Sequence, residues 1–204
     1  MPDNPAVQRR KPSQDRARET RERILDSAAQ LFAEHGMAEI STNRIAAHAH
    51  ISIGSLYRYF DDKAAIIEVL RTRLLTDLEE RFTEAVLGSI GLPLRESVGS
   101  SLRVIMHAVA DRRDLVRALA ADATVAGIGF GGLERRLLLL TRAYLLQQLG
   151  PRPDAELDTR AFVMVNAGLA ASLRMALQPP PGLDPDRIIE ETATMLGDWL
   201  SAAT

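Results

Sequence analysis

The fold is decided by a short stretch at residues 52–60, which reads SIGSLYRYF. Ser52 is a residue type that caps helices, and Leu56 and Phe60 stand four residues apart, so both can anchor one helical face to a core. The remaining side chains are mostly polar or aromatic and face away from that core. A helix of about two turns is not stable alone. The pattern therefore predicts a helix that is held on a core and inserted into a partner.

The sequence on either side completes a unit of three helices. Apolar residues recur at helical spacing from Ile24 to Phe32 and predict a first helix, which we expect Thr20 to cap and Gly36 to end. Ser41 is positioned to cap a short second helix. A tight turn at His50 then leads into the helix that Ser52 opens. This arrangement is typical of a helix-turn-helix.

Residues 20–75 resemble the DNA-binding domain and connecting helix of the TetR family of transcriptional repressors. The resemblance implies that the second helix supports the third, which enters the major groove of DNA. His50 stands where the family commonly has glycine. The DNA contacts that the resemblance implies are Ser41, Thr42, Asn43, Arg44, Ser52, Ile53, Gly54, Ser55, Tyr57, Tyr59 and Lys63. Asn43 and Arg44 have the chemistry to read base edges, and the hydroxyls can position phosphates.

The rest of the chain is also predicted to be helical, which gives an all-α protein of about nine helices. A long fourth helix follows Asp62, and residues 88–93 interrupt the pattern with Gly88 and Pro93. Five further helices are predicted between Leu94 and Leu200. We predict a flexible basic arm at 1–19, the helix-turn-helix domain at 20–62, a connecting helix at 63–87 and an effector-binding and dimerisation domain at 88–204.

Charge and composition narrow the class of protein. The net charge is only −2, but basic residues outnumber acidic ones between Arg9 and Arg23, beside the predicted reader helix. We expect this arm to add contacts to DNA phosphates. The chain has no cysteine, which excludes disulfides and is consistent with the cytoplasm. It has no run of about 18 apolar residues, so we expect no membrane segment.

The second half combines an apolar interior with a few isolated polar residues, a mixture that suits a small-molecule pocket between helices. The candidates for binding an effector are His107, Thr141, Tyr144 and Asn166. Such a pocket favours a small, largely hydrophobic molecule. An ordinary helical core with satisfied polar groups has the same composition and stays open as an alternative.

By resemblance, and from their small and apolar residues, the last two helices are the predicted interface of a homodimer. The candidate interface residues are Met164, Gly168, Ala171, Met175, Met195 and Trp199. A dimer would place two reader helices in successive major grooves of a palindromic operator. The interpretation is a ligand-responsive repressor released from its operator by the effector.

Two other classes of function remain open. The segment 127–132 reads GIGFGG and matches a dinucleotide-binding fingerprint, but that fingerprint requires flanking strands and none is predicted. A nucleotide-using enzyme is therefore disfavoured, and we predict no catalytic residue, cofactor or metal site. A constitutive helical DNA-binding protein without an effector is the other alternative.

Overall fold

A computed structural model describes residues 11–121 and 130–202. Within those ranges the chain forms nine α-helices and no strand, which confirms the all-α prediction. The chain divides into two compact units, residues 1–72 and 73–204. The predicted domain boundaries at 62/63 and 87/88 stay predictions.

The first unit contains α1 (Lys11–His35), α2 (Thr42–His48), α3 (Ile53–Leu56) and the beginning of α4 (Lys63–Gly88). Each helix contributes a large apolar side chain to one core, because the apolar residues recur at helical spacing. The fully buried members of this core are Ile24, Leu25, Phe32, Ile40, Ile45, Leu56 and Ile66.

Capping side chains define where these helices begin. The Ser41 hydroxyl accepts a hydrogen bond from the Arg44 amide at 3.3 Å, and the Ser52 hydroxyl accepts one from the Ser55 amide at 3.1 Å. The Asp62 carboxylate accepts from the Ala65 amide at 2.7 Å. Each bond satisfies an amide that has no partner within its own helix. The caps at Ser41 and Ser52 were predicted, and α4 begins directly after Asp62 as expected.

Two turns have left-handed backbone conformations, as the sequence predicts. Gly36 ends α1 with φ +78°, and its amide donates to the Phe32 carbonyl at 2.9 Å. His50 has φ +54° and is the single non-glycine residue with positive φ among the described residues. Histidine adopts this region less readily than glycine, so the turn between α2 and α3 carries a small conformational cost.

Two predicted helix limits in this unit are wrong. α1 begins at Lys11, and Thr20 lies inside the helix, where its hydroxyl donates to the Arg16 carbonyl at 2.8 Å instead of capping. α3 is shorter than the two turns predicted: it ends at Leu56, and the backbone continues to Phe60 in tight turns. One of these turns is closed by the Tyr59 amide, which donates to the Leu56 carbonyl at 2.9 Å.

The second unit contains the rest of α4 and five helices: α5 (Leu94–Ala110), α6 (Arg113–Ala121), α7 (Phe130–Leu149), α8 (Asp154–Leu177) and α9 (Pro185–Ser201). α5 packs against α8 and α9, and α7 packs against α8. α8 begins at Asp154, directly after Pro153. The early turns have an apolar side too, since Leu157 and Ala161 are buried.

Glycines allow α5 to lie close to its neighbours. A Cβ added at Gly197 would lie 3.0 Å from the Arg95 Cα, and one added at Gly168 would lie 2.5 Å from the Leu102 Cδ2. The first contact involves backbone, which cannot rotate away. Close packing of α9 on α5 therefore requires glycine at position 197.

Candidate DNA-binding surface and interior cavity

The N-terminal turn of α2 carries a row of polar side chains at the surface. Ser41, Asn43 and Arg44 are exposed, and Thr42 is half-buried. The buried residues Ile45 and Ala46 hold the opposite side of α2 on the core. The fold thus presents polar groups of the kind that contact phosphates and base edges.

α3 presents a second set of exposed groups. Ile53 and Tyr57 are 36% and 50% exposed, whereas Leu56 between them is fully buried. The Ser52 and Ser55 hydroxyls lie 2.9 Å apart and form a hydrogen bond. α3 is therefore fixed to the core through one side chain, and its other residues face outward.

Gly54 lies at the surface of α3 and has no structural requirement for glycine. Its φ is not positive, and a Cβ added there would meet no atom within 4 Å. Glycine inside a helix costs roughly 1 kcal/mol relative to alanine. No contact within the chain offsets that cost. The open space at Gly54 is therefore available to a molecule outside the chain.

One shallow groove brings together residues from α2, α3 and the beginning of α4. Its lining includes Ser41, Thr42, Tyr57 and Lys63. The Tyr57 and Thr42 hydroxyls lie 3.1 Å apart and join α3 to α2. The Lys63 ammonium donates to the Met37 carbonyl at 2.9 Å, which holds this cation at the edge of the groove.

The second unit encloses a cavity of about 50 Å³ between α4, α5, α7 and α8. Its wall is mostly apolar, with hydroxyl groups distributed among the apolar side chains. The apolar lining includes Phe82, Val98, Leu102, Ile105, Leu137, Met164 and Leu169. The hydroxyl-bearing lining comprises Ser89, Ser97, Ser101, Thr141, Tyr144 and Ser172.

Tyr144 is a polar residue of this cavity whose side chain is buried. It is 7% exposed, and its hydroxyl has no hydrogen-bond partner among the described residues. Burial raises the pKa of the Tyr144 phenol, and the neighbouring Ser97 side chain offsets that shift in part. The phenol therefore stays protonated at neutral pH and presents an O–H donor.

The outward face of α8 and α9 exposes several large apolar side chains. They are Phe162, Val163, Met195 and Trp199, with exposed fractions between 38% and 58%. The Arg160 guanidinium lies over the Trp199 ring, 5.4 Å from its centre. Isolated apolar residues are common at surfaces, but four on two packed neighbouring helices form a possible protein interface.

Residues 24–70, which include α2, α3 and the groove, match the bacterial regulatory proteins of the tetR family. The DNA-binding region of the chain is therefore of the tetR type.

The curated relatives match a short part of the chain. An HTH-type transcriptional regulator of Staphylococcus aureus strain USA300 is 50% identical over 48 residues, which are 24% of this chain and 26% of that protein. The match thus spans about a quarter of the relative. The relative is described as a regulator of transcription rather than as an enzyme.

Solved structures of the family extend the similarity over most of the chain. A TetR-like transcriptional regulator from Rhodococcus sp. RHA1 is 26% identical, with a TM-score of 0.65, over 90% of this chain and 96% of that one. Thermus thermophilus FadR, a TetR family repressor in complex with lauroyl-CoA, is 27% identical with a TM-score of 0.56, over 86% of this chain and 92% of that one. The helical second unit is therefore typical of the family fold.

The four candidate effector residues separate into two groups. Thr141 and Tyr144 line the cavity. His107 is exposed, with its Nε2 3.6 Å from the Asp186 Oδ1, and Asn166 is exposed, with its side-chain amide donating to the Phe162 carbonyl at 2.9 Å. Neither His107 nor Asn166 belongs to the cavity, because each lies on the outward side of its helix.

The sequence interpretation missed the serines of the cavity. Ser97 and Ser101 are one helical turn apart in α5 and lie next to apolar lining residues at Val98 and Leu102. The sequence pattern that could have identified them is the repetition of small hydroxyl residues, four positions apart, inside an apolar stripe.

The candidate dimer residues also separate. Met195 and Trp199 are exposed, and Ala171 is half-buried. Met164 and Gly168 line the cavity, and Met175 is buried within the chain. Gly168 permits close packing of α8 on Leu102 of the same chain. The interior positions of Gly168 and Met175 leave them without a surface for a partner.

Several residues that the sequence analysis singled out lie outside the part of the chain that the structure describes. The basic residues Arg9 and Arg10, and Gly127 to Gly129 of the glycine-rich segment, lie outside the described residues. Phe130 and the two glycines after it begin α7. The described ranges hold no cluster of three or more histidine, aspartate or glutamate residues able to bind a metal.

Among the helices that the structure describes, α8 alone is long and apolar enough to cross a membrane by length and composition. In the structure α8 packs against α5, α7 and α9. That packing is typical of a core helix in a helical domain.

Proposed function

We propose that this chain is a ligand-responsive transcriptional repressor that binds a palindromic DNA operator as a homodimer in the cytoplasm. The observation that carries the DNA-binding role is the set of exposed polar side chains at the beginning of α2, next to α3, where Gly54 leaves the backbone open. A missing side chain there lets DNA approach the backbone closely. The tetR-type region supports the same conclusion.

The polar residues around Gly54 divide by chemistry into two roles. Ser41, Thr42, Ser52, Ser55, Tyr57, Tyr59 and Lys63 contact phosphates through hydroxyl or ammonium donors. Asn43 and Arg44, which are exposed at the beginning of α2, contact base edges. Ile53, which is 36% exposed, contacts a thymine methyl group.

Homodimerisation uses the outward face of α8 and α9. Phe162, Val163, Met195 and Trp199 provide the apolar surface, and a second copy of the same face covers it. Such a self-complementary interface is typical of two-fold symmetric dimers. The two reader helices of the dimer then meet half-sites about 34–36 Å apart.

The interior cavity is the effector site. Release of DNA requires that the effector bind the DNA-free state more tightly, and the coupling is reciprocal, so operator DNA weakens effector binding by the same factor.

The test is selection of an operator from random DNA, followed by affinity measurements on the selected sequence and its single-base variants. Asn43→Ala is expected to relax preference at one base pair by about 1–3 kcal/mol, the typical value of a bidentate base contact. Asn166→Ala is the matched control, since Asn166 is also exposed but lies on α8. Failure to select any sequence would overturn the proposed function.

A further inference from the structure

Half of the hydroxyls that line the cavity already donate to backbone carbonyls, which reduces the number of donors that a ligand can meet. The Ser97 hydroxyl donates to the Ser89 carbonyl at 3.2 Å, and the Ser172 hydroxyl donates to the Leu102 carbonyl at 3.1 Å. Those oxygens keep lone pairs but have no free hydrogen. Each bond satisfies a backbone carbonyl that also belongs to the second unit.

The Tyr144 hydroxyl is different. It is buried, it lies in the wall of the same cavity, and no hydrogen bond of normal geometry joins it to a described residue, although the Ser97 side chain is near enough to affect its pKa. A buried donor without an acceptor costs about 1–3 kcal/mol, and nearly all buried polar groups in proteins find partners. A ligand that supplies an acceptor at this point would recover that free energy on binding.

The wall also determines the charge of the ligand. No lysine, arginine, histidine, aspartate or glutamate lies among the described residues of the lining. A carboxylate or phosphate placed there would lose its hydration without gaining a counter-charge, which is strongly unfavourable. The group that enters the cavity must therefore be uncharged.

The volume limits the size of the ligand. The cavity measures about 50 Å³. An engineered cavity of roughly 150 Å³ accepts benzene. A ligand as large as benzene therefore requires the lining to move. Met164, with its flexible thioether chain, is a lining residue suited to such movement.

We infer that the effector of this cavity is a compact, uncharged, largely apolar molecule with one hydrogen-bond acceptor, such as a ketone, lactone or ester oxygen, that receives the Tyr144 O–H. This inference rests on the effector role proposed above for the cavity. It makes Tyr144 the residue that distinguishes an oxygenated molecule from a hydrocarbon of the same shape.

The experiment compares three probes of similar size on the full chain: cyclohexanone, methylenecyclohexane and cyclohexanecarboxylate. The first two have nearly the same shape and differ in the acceptor oxygen, and the third carries a charge. Binding is followed by NMR of tyrosine labelled with 13C at the phenol carbon, because the chain has only three tyrosines. Tyr57 is exposed and Tyr59 is half-buried, so the resonance of Tyr144 is separable.

Cyclohexanone is expected to shift the Tyr144 resonance and to bind about three- to tenfold more tightly than methylenecyclohexane, the ratio that one net hydrogen bond gives. The carboxylate is expected not to bind. In Tyr144→Phe the ketone and the hydrocarbon should bind equally. Asn166→Ala, which removes an exposed polar side chain of α8 outside the cavity, should keep the preference.

Equal binding of ketone and hydrocarbon to the native chain would overturn the inference, and so would an unchanged preference in Tyr144→Phe. Absence of binding by all three probes would overturn it as well. A separate measurement addresses the proposed function: selected operator DNA is added to the ketone complex. If the ketone binds as expected but has no effect on DNA affinity, the ligand inference stands and the regulatory function fails.

Discussion

Gly54 and Tyr144 are two residues whose surroundings leave a space or a polar group that the chain itself does not use. Gly54 is a glycine in a helix, and a Cβ added there would meet no neighbouring atom. The hydroxyl of Tyr144 is buried and forms no hydrogen bond of normal geometry with a described residue. Each feature has a physical cost within the free chain. We interpret both as features that are satisfied only when DNA or an effector is bound.

Tyr144→Phe is expected to stabilise the free protein by about 1 kcal/mol, because it removes a buried polar group that lacks a partner. The difference in stability between this variant and the native chain should increase at alkaline pH. Since the pKa of Tyr144 is raised above its unfolded value, its contribution to stability is fully present below about pH 10 and is lost as pH rises through the folded pKa. The phenylalanine variant has no such loss. Urea unfolding at pH 8 and at higher pH checks both points, and a less stable variant at pH 8 would contradict the prediction.

Most of the helices follow directly from the spacing of apolar residues, and the errors have identifiable causes. The beginning of α1 was missed because residues 11–19 are mainly polar and carry no apolar stripe from which a helix could be predicted. His107 and Asn166 were assigned to a pocket because each neighbours an apolar stripe. The spacing of apolar residues gives the position of a side chain around its helix axis only approximately. It therefore cannot distinguish a residue that lines the cavity from a nearby residue that faces the surface.

The packing of the helices in the second unit depends on a close contact between α5 and α9. Gly197→Ala is expected to destabilise the protein by about 1–3 kcal/mol, since the new Cβ would lie 3.0 Å from backbone at Arg95. Gly132→Ala in α7 is the matched control: a Cβ there meets nothing within 4 Å, and alanine should be neutral or stabilising. Thermal unfolding compares the two. Equal stability of both variants would show that the α5–α9 contact can relax.

At the scale of the whole molecule, the account requires two copies of the chain to join through α8 and α9. Met195→Glu is expected to dissociate the dimer, because Met195 is 58% exposed in the single chain and a dimer would bury the introduced charge. The fold of each chain should be little affected, as for most surface substitutions. Leu139→Glu is the control, with a 62% exposed apolar residue on α7. Sedimentation showing Met195→Glu still dimeric, or both variants equally dissociated, would move the interface elsewhere.

The central claim is that the surface formed by α2 and α3 binds DNA, and Gly54→Leu tests it most directly. A leucine at position 54 meets no atom of the chain at its Cβ and replaces a poor helix former with a good one, so the free protein should be at least as stable as the native chain. The same side chain would fill the space that DNA needs. The measurement is the affinity of this variant for the selected operator, with its thermal stability recorded beside it. The account predicts unchanged or increased stability together with loss of operator binding, and native affinity for the operator would contradict it.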